Sequence, residues 1–532
     1  MRKTHQLFSV VILVFVLANG SCLFKGKRPP ATGGNQLRGA INQHSKLPFD
    51  SNLVVTFYYS YPALNKYQKD VAGVYRQHHY NRIWYDARGV VEFGQTLYGK
   101  VSELNTEGVS AKFPYQEKID GVFDNNTENT MTQTETELML TNLYFFYAEN
   151  VYKGIAEDSA KSIGWLLPRK QLSYAGMLDS VMVDPELLTR DDSVLSGQYY
   201  KLRDVLKRYR EIEQKGGWNP IDLSPKLKAY KPGDTALALR QIRLRLFITG
   251  DIKQDNGSHE YDPELTEAVN KYQRRNGYNP TKLITPKLIR EMNVPISERI
   301  KKIIVNMERC RWIPPGFARA KEYIVVNIPA YKLNLFRNGN SEFESPVIVG
   351  KDMTKTVIFS GKLSYIVFSP YWNLPQSIIK KEVKPGIARN KNYLEAHNME
   401  WNNGQVRQKP GKNNSLGLIK FIFPNADDIY MHDTPAKSLF ARERRAFSHG
   451  CIRVEKSRDL AVEILKDDPK WTPAKIDAAM HAGTESTYTL KNKIPVYIGY
   501  LTAWVNPQGE INFYDDIYGM DDRLAELLMG EY

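Results

Sequence analysis

A cysteine and two histidines lie close together towards the C-terminal end of the sequence. Cys451 ends the run Ser448-His449-Gly450-Cys451, and His432 precedes this run across a short, mostly polar stretch. A cysteine attacks a carbonyl as its thiolate, and a free thiol with a pKa of about 8.5 is mostly protonated near neutral pH. A histidine within hydrogen-bond reach accepts that proton and later returns it to a leaving amine. The spacing therefore predicts acyl transfer through a cysteine nucleophile.

The residues next to Cys451 favour the same chemistry. Gly450 can adopt backbone angles that other residues avoid, so we expect the amides of Gly450 and Cys451 to point at a developing oxyanion. Arg453 adds a positive charge that favours the thiolate. A single cysteine is most often buried and inert, and a single histidine is most often structural. The combination of His432 with Ser-His-Gly-Cys-x-Arg is much rarer by chance than either residue alone.

Motifs for other chemistries are missing from the sequence. It has no phosphate-binding glycine loop of the P-loop kind, no Cys-x-x-Cys pair and no His-Glu-x-x-His. We therefore expect no cofactor and no metal. The formal net charge of +14 favours an anionic partner such as nucleic acid, acidic lipid or an acidic cell-wall polymer, and charge alone does not distinguish them.

The N-terminus has the pattern of an export signal. Arg2 and Lys3 precede an apolar stretch from Val10 to Ala18, which is too short to span a membrane. The run Asn19-Gly20-Ser21-Cys22 resembles a bacterial lipoprotein signal, in which Cys22 would be lipidated and anchor the protein to a membrane. Asn19 departs from that pattern, so ordinary signal cleavage stays open. Both interpretations predict an exported protein. No acidic cluster follows Cys22, which favours an anchor facing the periplasm.

The cysteine count excludes a disulfide scaffold, because only three cysteines occur in 532 residues. Cys310 lies at the end of a helical pattern and is interpreted as a small buried apolar residue. If Cys22 is lipidated, Cys310 and Cys451 remain either as a disulfide pair or as two free thiols.

The segments that must position Cys451 are of two kinds, which predicts an α+β fold with several domains. Apolar residues recur at three- and four-residue steps in the first half of the chain, and short β-rich runs separated by turn residues follow. The predicted helices are Thr136–Tyr152, Tyr199–Gln214, Asp234–Phe247, Pro263–Asn276, a short one after Thr285-Pro286, and Ser297–Cys310. The predicted strands include Tyr323–Ile328, Lys332–Phe336, Val347–Val349 and Leu363–Phe368, with Asn338-Gly339 as a hairpin turn.

Residues 232–296 have the pattern of a small unit of their own. The run from Tyr261 to Gly277 resembles the three-helix peptidoglycan-binding module. Pro280-Thr281-Lys282 replaces the Asp-Gly that usually precedes the last helix of that module. The resemblance therefore predicts the structure of the module and leaves glycan binding open.

The run from His432 to Arg453 resembles the signature of the YkuD-type L,D-transpeptidase catalytic domain. Five runs of the sequence resemble the large, multi-domain YcbB-type branch of this family. They are Tyr365–Pro375, His432–Ala441, Arg445–Glu455, Pro495–Val505 and Asp515–Gly519. That branch combines a mostly helical scaffold domain, an inserted peptidoglycan-binding module and a mainly β catalytic domain. The same order is predicted from the patterns above.

The resemblance implies a role for each matching residue. Cys451 would be the nucleophile and His432 the general base and acid, while Tyr430 and the amides near Cys451 would stabilise the oxyanion. The residues that would shape the turn and contact substrate carboxylates are Ser448, His449, Gly450 and Arg453. The residues that would contact the donor peptide are Tyr371, Trp372 and Asn373. An almost equally good interpretation is structural. Tyr371 and Trp372 would then be core aromatics at the end of a strand, with Asn373 beside them.

The implied reaction joins peptidoglycan stem peptides, with no nucleic acid partner. Cys451 would attack the carbonyl of the third residue of a donor tetrapeptide, become acylated and release D-alanine. The amine of an acceptor stem would then complete a 3→3 cross-link. Water as acceptor would make the protein an L,D-carboxypeptidase, and a D-amino acid would make it an exchange enzyme. Carbapenem-type β-lactams would inhibit it. The periplasm is the expected location.

Two alternatives come from other classes of protein. A non-catalytic wall scaffold would bind peptidoglycan through residues 232–296, but it has no need of the cysteine and histidine pattern. A papain-like peptidase places its cysteine before its histidine, whereas His432 precedes Cys451. The predicted segments are a signal peptide (1–21), a tether (22–45), the scaffold domain (46–231), the module (232–296), a scaffold helix and linker (297–320), the catalytic domain (321–510) with a capping insertion (374–415), and a C-terminal segment (511–532).

Overall fold

The computed structural model describes residues 47–86, 88–124, 130–184, 187, 195–314 and 320–529. Contacts divide the chain into residues 1–45 and 46–532, and every described residue belongs to the second unit. The predicted signal peptide, the tether and Cys22 lie outside the described residues. Within the described ranges, no helix combines the length and the apolar character needed to cross a membrane. The predicted domain boundaries stay predictions.

The N-terminal half is helical, as predicted, and its core is rich in aromatic residues. Its elements are α1 (Asn52–Ser60), α2 (Gln68–Gln77), the β1–β2 pair (Tyr85–Asp86 and Gly89–Val90), α3 (Glu92–Ser102), α4 (Gln116–Phe123), α5 (Gln133–Tyr147), α6 (Glu157–Ser162), α7 (Tyr174–Val183) and α8 (Gly197–Gln214). The central helix α5 is buried at every position from Thr136 to Tyr147. A capping box between Thr132 and Glu135 starts α5, because each residue's side chain accepts from the other's backbone amide.

Three short helices follow and have a small apolar core of their own. They are α9 (Leu237–Ile248), α10 (Pro263–Arg275) and α11 (Pro286–Met292), and each confirms a predicted helix. The side chains of Asp262 and Thr285 cap α10 and α11, and proline occupies the first turn of both helices. These caps explain why the two helices begin where the sequence pattern indicates.

The helix α12 (Ile296–Trp312) links the helical half to a sheet. Its strands are β3 (Glu322–Asn327), β4 (Lys332–Arg337), β5 (Asn340–Gly350), β6 (Ser360–Phe368), β10 (Ile419–Ile422), β11 (Met431–His432), β12 (Ala446–Ser448), β13 (Ile452–Val454) and β14 (Ser486–Gly499). In the described part of the chain, these nine strands pair in the order β12-β5-β13-β11-β10-β6-β14-β3-β4, and β4 also pairs with β5, which closes eight of them into a ring. The Asn338-Gly339 hairpin turn is confirmed between β4 and β5, where both residues have positive φ.

A small subdomain interrupts the sheet after β6, and we name residues 372–408 the cap. Its strands β7 (Trp372–Asn373), β8 (Met399–Asn402) and β9 (Gln405–Gln408) pair in the order β7-β9-β8. Short helical turns fill Gln376–Ala396. Four buried side chains form its own apolar core, namely Leu374, Ile379, Val383 and Val406.

The C-terminal end of the chain returns to the helical half. After β14, the hairpin of β15 (Ala503–Val505) and β16 (Ile511–Phe513) places its buried side chains in the helical core, not in the sheet core. Helices α13 (Ser457–Leu465) and α14 (Pro473–Met480) pack on the sheet core, and α15 (Asp521–Met529) ends the described chain. This return was not predicted from the sequence. The fold is α+β overall, as predicted.

Candidate active site

The strands β11 and β13 lie side by side and present their side chains to two different environments. They pair in parallel, with Met431 opposite Ile452 and His432 opposite Arg453. Met431 and Ile452 are fully buried in the sheet core. Because side chains alternate along a strand, His432 and Arg453 project to the other face. Cys451 immediately precedes β13, and the hydrogen bond from the Ile452 amide to the Tyr430 carbonyl extends the pairing to its level.

His432 is buried and held in one tautomer. Its Nδ1 hydrogen-bonds the Asp433 carbonyl at 2.5 Å, and a carbonyl can only accept, so Nδ1 carries the hydrogen. The lone pair of Nε2 is then the one that can take a proton. Burial, together with the charge of Arg453, lowers the pKa of His432 to about 4. The imidazole is therefore neutral at pH 7 and able to act as a base.

Cys451 is partly buried and its thiol is protonated in the resting site. Its Sγ lies 3.7 Å from the Asp428 carbonyl, to which it donates. Burial raises the pKa of the Cys451 thiol above its ordinary value, while hydrogen bonds from the backbone and side chain of Tyr430 and the charge of Arg453 oppose that rise. The ring of Tyr430 lies 5.7 Å from that of His432, between centroids. One face of the sheet thus holds a thiol, a neutral base and two groups that stabilise a thiolate.

The turn before Cys451 is held by hydrogen bonds of Ser448. The Ser448 hydroxyl donates to the Cys451 carbonyl at 2.6 Å and accepts from the Gly450 amide at 3.1 Å. Gly450 has a φ of +120°, which other residues rarely adopt. The sequence predicts that the amides of both Gly450 and Cys451 face an oxyanion, but the Gly450 amide donates to Ser448 inside the turn. Within the described part of the chain, the Cys451 amide makes no such bond and stays available.

Thr356 and Tyr518, which are far from this turn in the sequence, stabilise it through hydrogen bonds. Thr356 donates from its hydroxyl to the Gly450 carbonyl at 2.7 Å and accepts from the Gly350 amide at 2.9 Å. The Tyr518 hydroxyl accepts from the Thr356 amide at 3.1 Å and donates to the Gly350 carbonyl at 2.7 Å. The C-terminal segment therefore helps to fix the position of the nucleophile.

Two regions of the chain match described families. Residues 321–476 match the family described as the L,D-transpeptidase catalytic domain, and residues 69–206 match a family described as a scaffold domain. The chain carries an L,D-transpeptidase catalytic domain. It contains His432 and Cys451 together with the whole cap. The matched scaffold region covers most of the helical half.

A relative from Haemophilus influenzae with the name "Putative L,D-transpeptidase" is 36% identical over 262 residues. The match covers 44% of this chain and 52% of that protein, so the chain spans about half the length of this relative. Among solved structures, an L,D-transpeptidase from Mycobacterium smegmatis has a TM-score of 0.20 and 13% identity, with 34% of this chain and 58% of that chain covered. One from Stackebrandtia nassauensis has a TM-score of 0.22 and 13% identity, with 53% and 97% covered.

The structure places His449 and the three predicted donor-contact residues in different surroundings. His449 is exposed to solvent, in contrast to the buried His432. Trp372 and Asn373 form β7 at the base of the cap, where Trp372 packs against the cap core. Tyr371 stacks under the guanidinium of Arg407 at 3.9 Å. The donor-contact role of these three residues stays a prediction.

Two residues of this domain were missed by the sequence analysis. Asp433 is buried, and its carboxylate accepts from the Ser457 hydroxyl at 2.8 Å, the Lys437 ammonium at 2.7 Å and the Leu418 amide at 3.0 Å. It thereby holds the backbone whose carbonyl orients His432. Lys420 lies opposite His432 in the β10–β11 pair. The only signal for Asp433 was its position directly after His432, and Lys420 gave no signal.

Proposed function

We propose that this protein is an L,D-transpeptidase that forms 3→3 peptidoglycan cross-links through a Cys451 thioester. The observation that carries the proposal is the neutral His432, whose Nδ1 is held by the Asp433 carbonyl, on the sheet face shared with Cys451. This arrangement lies inside the matched catalytic domain. An acyl-transfer enzyme needs a nucleophile and a base of this kind, whereas a wall scaffold does not.

In the first step, Cys451 attacks the carbonyl of the third residue in a donor tetrapeptide stem. His432 takes the thiol proton as the carbon–sulfur bond forms, and returns it to the amine of the departing D-alanine as the carbon–nitrogen bond breaks. The charge of Arg453 and the hydrogen bonds from Tyr430 stabilise the thiolate. We expect the Cys451 amide and the Tyr430 hydroxyl to donate hydrogen bonds to the developing oxyanion.

In the second step, the side-chain amine of the third residue on a neighbouring stem attacks the thioester. His432 takes a proton from that amine and passes it to the departing thiolate, so the free enzyme is restored. Water in place of the amine gives L,D-carboxypeptidase activity, and a D-amino acid gives exchange. The residues of the acyl-enzyme step are the same in all three cases.

The setting of this activity is also proposed. The N-terminal pattern supports export to the periplasm, with Cys22 as a lipid anchor to a membrane, and ordinary signal cleavage is the alternative. The scaffold match and the three-helix module with its own core support the YcbB-type branch. Carbapenem-type β-lactams present a strained amide to the same thiol, so we expect them to acylate Cys451.

The test incubates the protein with a disaccharide-tetrapeptide donor and follows the products by mass spectrometry. We expect a thioester with loss of D-alanine and a 3→3 dimer, both abolished by Cys451→Ala and His432→Ala. Cys310→Ala is the matched control, because Cys310 is fully buried and should leave turnover intact. Tripeptide without dimer would indicate a carboxypeptidase. Folded protein that retains sacculi but forms no thioester would indicate the wall scaffold.

A further inference from the structure

Lys420 brings a second positive charge to the face that carries His432. It pairs with His432 across β10 and β11, so both side chains project to the same face of the sheet. Its ammonium lies 5.6 Å from the centre of the Tyr430 ring. Burial lowers the pKa of Lys420 overall, while the charges of Glu485 and of a Cys451 thiolate oppose that change. Lys420 is therefore a neighbour of the nucleophile.

The Lys420 ammonium is half-buried and has no anionic partner in contact. Among the residues that the structure describes, Lys420 forms no ion pair and donates no hydrogen bond to a carboxylate, and only the charge of Glu485 is recorded as a carboxylate acting on it. The charge of the Glu485 carboxylate acts on Lys420, but this carboxylate accepts a hydrogen bond from the Tyr371 amide at 2.8 Å. A half-buried cation without a paired anion is destabilising, unless a ligand supplies the anion.

The donor stem carries an anion at the required place. In the proposed reaction His432 protonates the amine of the departing D-alanine, and that residue's carboxylate is attached to the next carbon. The carboxylate must therefore lie within a few ångströms of the His432 ring. Neighbouring strands are about 4.8 Å apart, so a side chain on β10 is within reach of this position. Arg453 occupies the corresponding place on the opposite side, on β13.

We propose that Lys420 binds the terminal carboxylate of the donor's leaving residue, and this inference rests on the proposed L,D-transpeptidase function. Lys420 would then position the scissile bond between Cys451 and His432. A donor with one more residue places a neutral amide at this point and leaves the ammonium unpaired. Lys420 thus selects tetrapeptide donors, in which a single residue follows the bond that is cut.

The test compares two donors in the full chain, one with a free C-terminal carboxylate and one with a C-terminal carboxamide. We measure kcat and KM for acyl transfer with wild type, Lys420→Met and Lys420→Arg. Lys420→Met should lower kcat/KM about tenfold to a hundredfold on the acid donor, mostly through KM. Its loss on the amide donor should be much smaller, because only the weaker stabilisation of the Cys451 thiolate is removed there. Lys420→Arg should restore most of the activity on the acid donor, because it keeps the charge. Lys362→Met is the control, since Lys362 is exposed on β6 of the same sheet.

Each other outcome contradicts the inference in a recognisable way. Equal losses on both donors would show that Lys420 acts on the thiolate or on the fold and does not bind the carboxylate of the leaving residue. A shift in melting temperature would identify the effect on the fold. If the loss of kcat/KM in Lys420→Met disappears only with a donor whose third residue has its side-chain carboxylate amidated, Lys420 binds that carboxylate and not the terminal one. If wild type releases nothing from either donor, the proposed function itself fails, and Lys420 is not the cause.

Discussion

The proton that moves in the proposed reaction starts on Cys451, and both groups that exchange it are neutral near pH 7. Burial raises the pKa of Cys451 above its ordinary value and lowers that of His432 to about 4. A resting thiolate–imidazolium pair would require the opposite order of these two pKa values. We therefore infer that the thiolate forms only when a substrate carbonyl is in place. This protects the thiol from adventitious oxidants, which react with thiolates.

The first prediction concerns pH. The rate of Cys451 alkylation by iodoacetamide should keep rising with pH beyond the range in which an ordinary cysteine ionises, because burial raises the pKa of this thiol. Turnover of the donor stem should be lost as the pH falls through about 4, where His432 becomes protonated. Peptide mass spectrometry identifies the alkylated residue, and Cys310, with a pKa raised to about 12 by burial, is the internal control. An alkylation rate that is already constant from pH 6 upwards would indicate a resting thiolate.

The second prediction concerns Asp433, which positions His432 without touching substrate. Asp433→Asn keeps the size of the side chain but replaces an acceptor that three donors share. We expect the free energy of unfolding to fall by about 1–3 kcal/mol and kcat to fall about tenfold, because the carbonyl that orients His432 shifts. Denaturant unfolding and D-alanine release measure the two effects. Asp467→Asn, at an exposed position, should change neither, and an unaltered kcat in Asp433→Asn would contradict the positioning role.

At the scale of elements, the turn between β12 and β13 depends on its backbone conformation. A Cβ added at Gly450 would meet no close neighbour, since the nearest atom is the Lys355 carbonyl oxygen at 3.9 Å. Space is therefore available, and the positive φ is the reason for glycine. The Ser448 and Thr356 hydrogen bonds hold the turn in that conformation. A side chain at Gly450 should strain the turn, and with it the position of the Cys451 amide.

The third prediction tests this turn with Gly450→Ala. Strain at a positive φ of this kind is on the order of 1–3 kcal/mol, and relief of the strain would displace Cys451. We expect more than a tenfold loss of thioester formation in a protein that still folds, with D-alanine release and thermal melting as the measurements. Gly499→Ala is the matched control, because Gly499 also has open space but no positive φ. Similar losses in both variants would show that the conformation of Gly450 is not the cause.

At the scale of the whole molecule, α12 connects the two large cores. Ile303 and Met307 pack in the helical core, while Val305 and Trp312 pack in the sheet core. Near the end of this helix Glu308 is almost completely buried. Its carboxylate accepts from the Ile155 amide at 2.7 Å, from the Trp312 indole at 2.8 Å and from Arg311 at 2.7 Å.

The fourth prediction is that Glu308→Ala destabilises the entire unit. It leaves the fully buried Arg311 without its carboxylate partner, which typically lowers the free energy of unfolding by about 3–5 kcal/mol. Chemical denaturation followed by circular dichroism measures the change. Glu298→Ala is the control, because Glu298 pairs with Lys301 at the exposed surface and should contribute less than about 1 kcal/mol. Equal effects of the two variants would mean that α12 does not join the two cores through this network.

Much of the molecule follows from local sequence. The helices around Tyr199 and Pro263, the Asn338-Gly339 hairpin and the burial of Cys310 were predicted and are confirmed. Each depends on residues a few positions apart, through periodicity, capping or turn chemistry. The Cys451 and His432 pattern could be recognised for the same reason, since both lie in one short run of chain.

Only the tertiary structure determined the burial and the neighbours of Cys451 and His432. Which histidine is buried, where Lys420 lies and why Tyr518 supports the catalytic turn depend on pairings between residues far apart in the sequence. The hairpin after β14 joined the helical core for the same reason. Strand register, burial and the pKa values that follow from them arise from packing over the whole chain. The residue types and the local elements are therefore determined by the sequence read locally, and the electrostatic state of the site is determined only by the assembled fold.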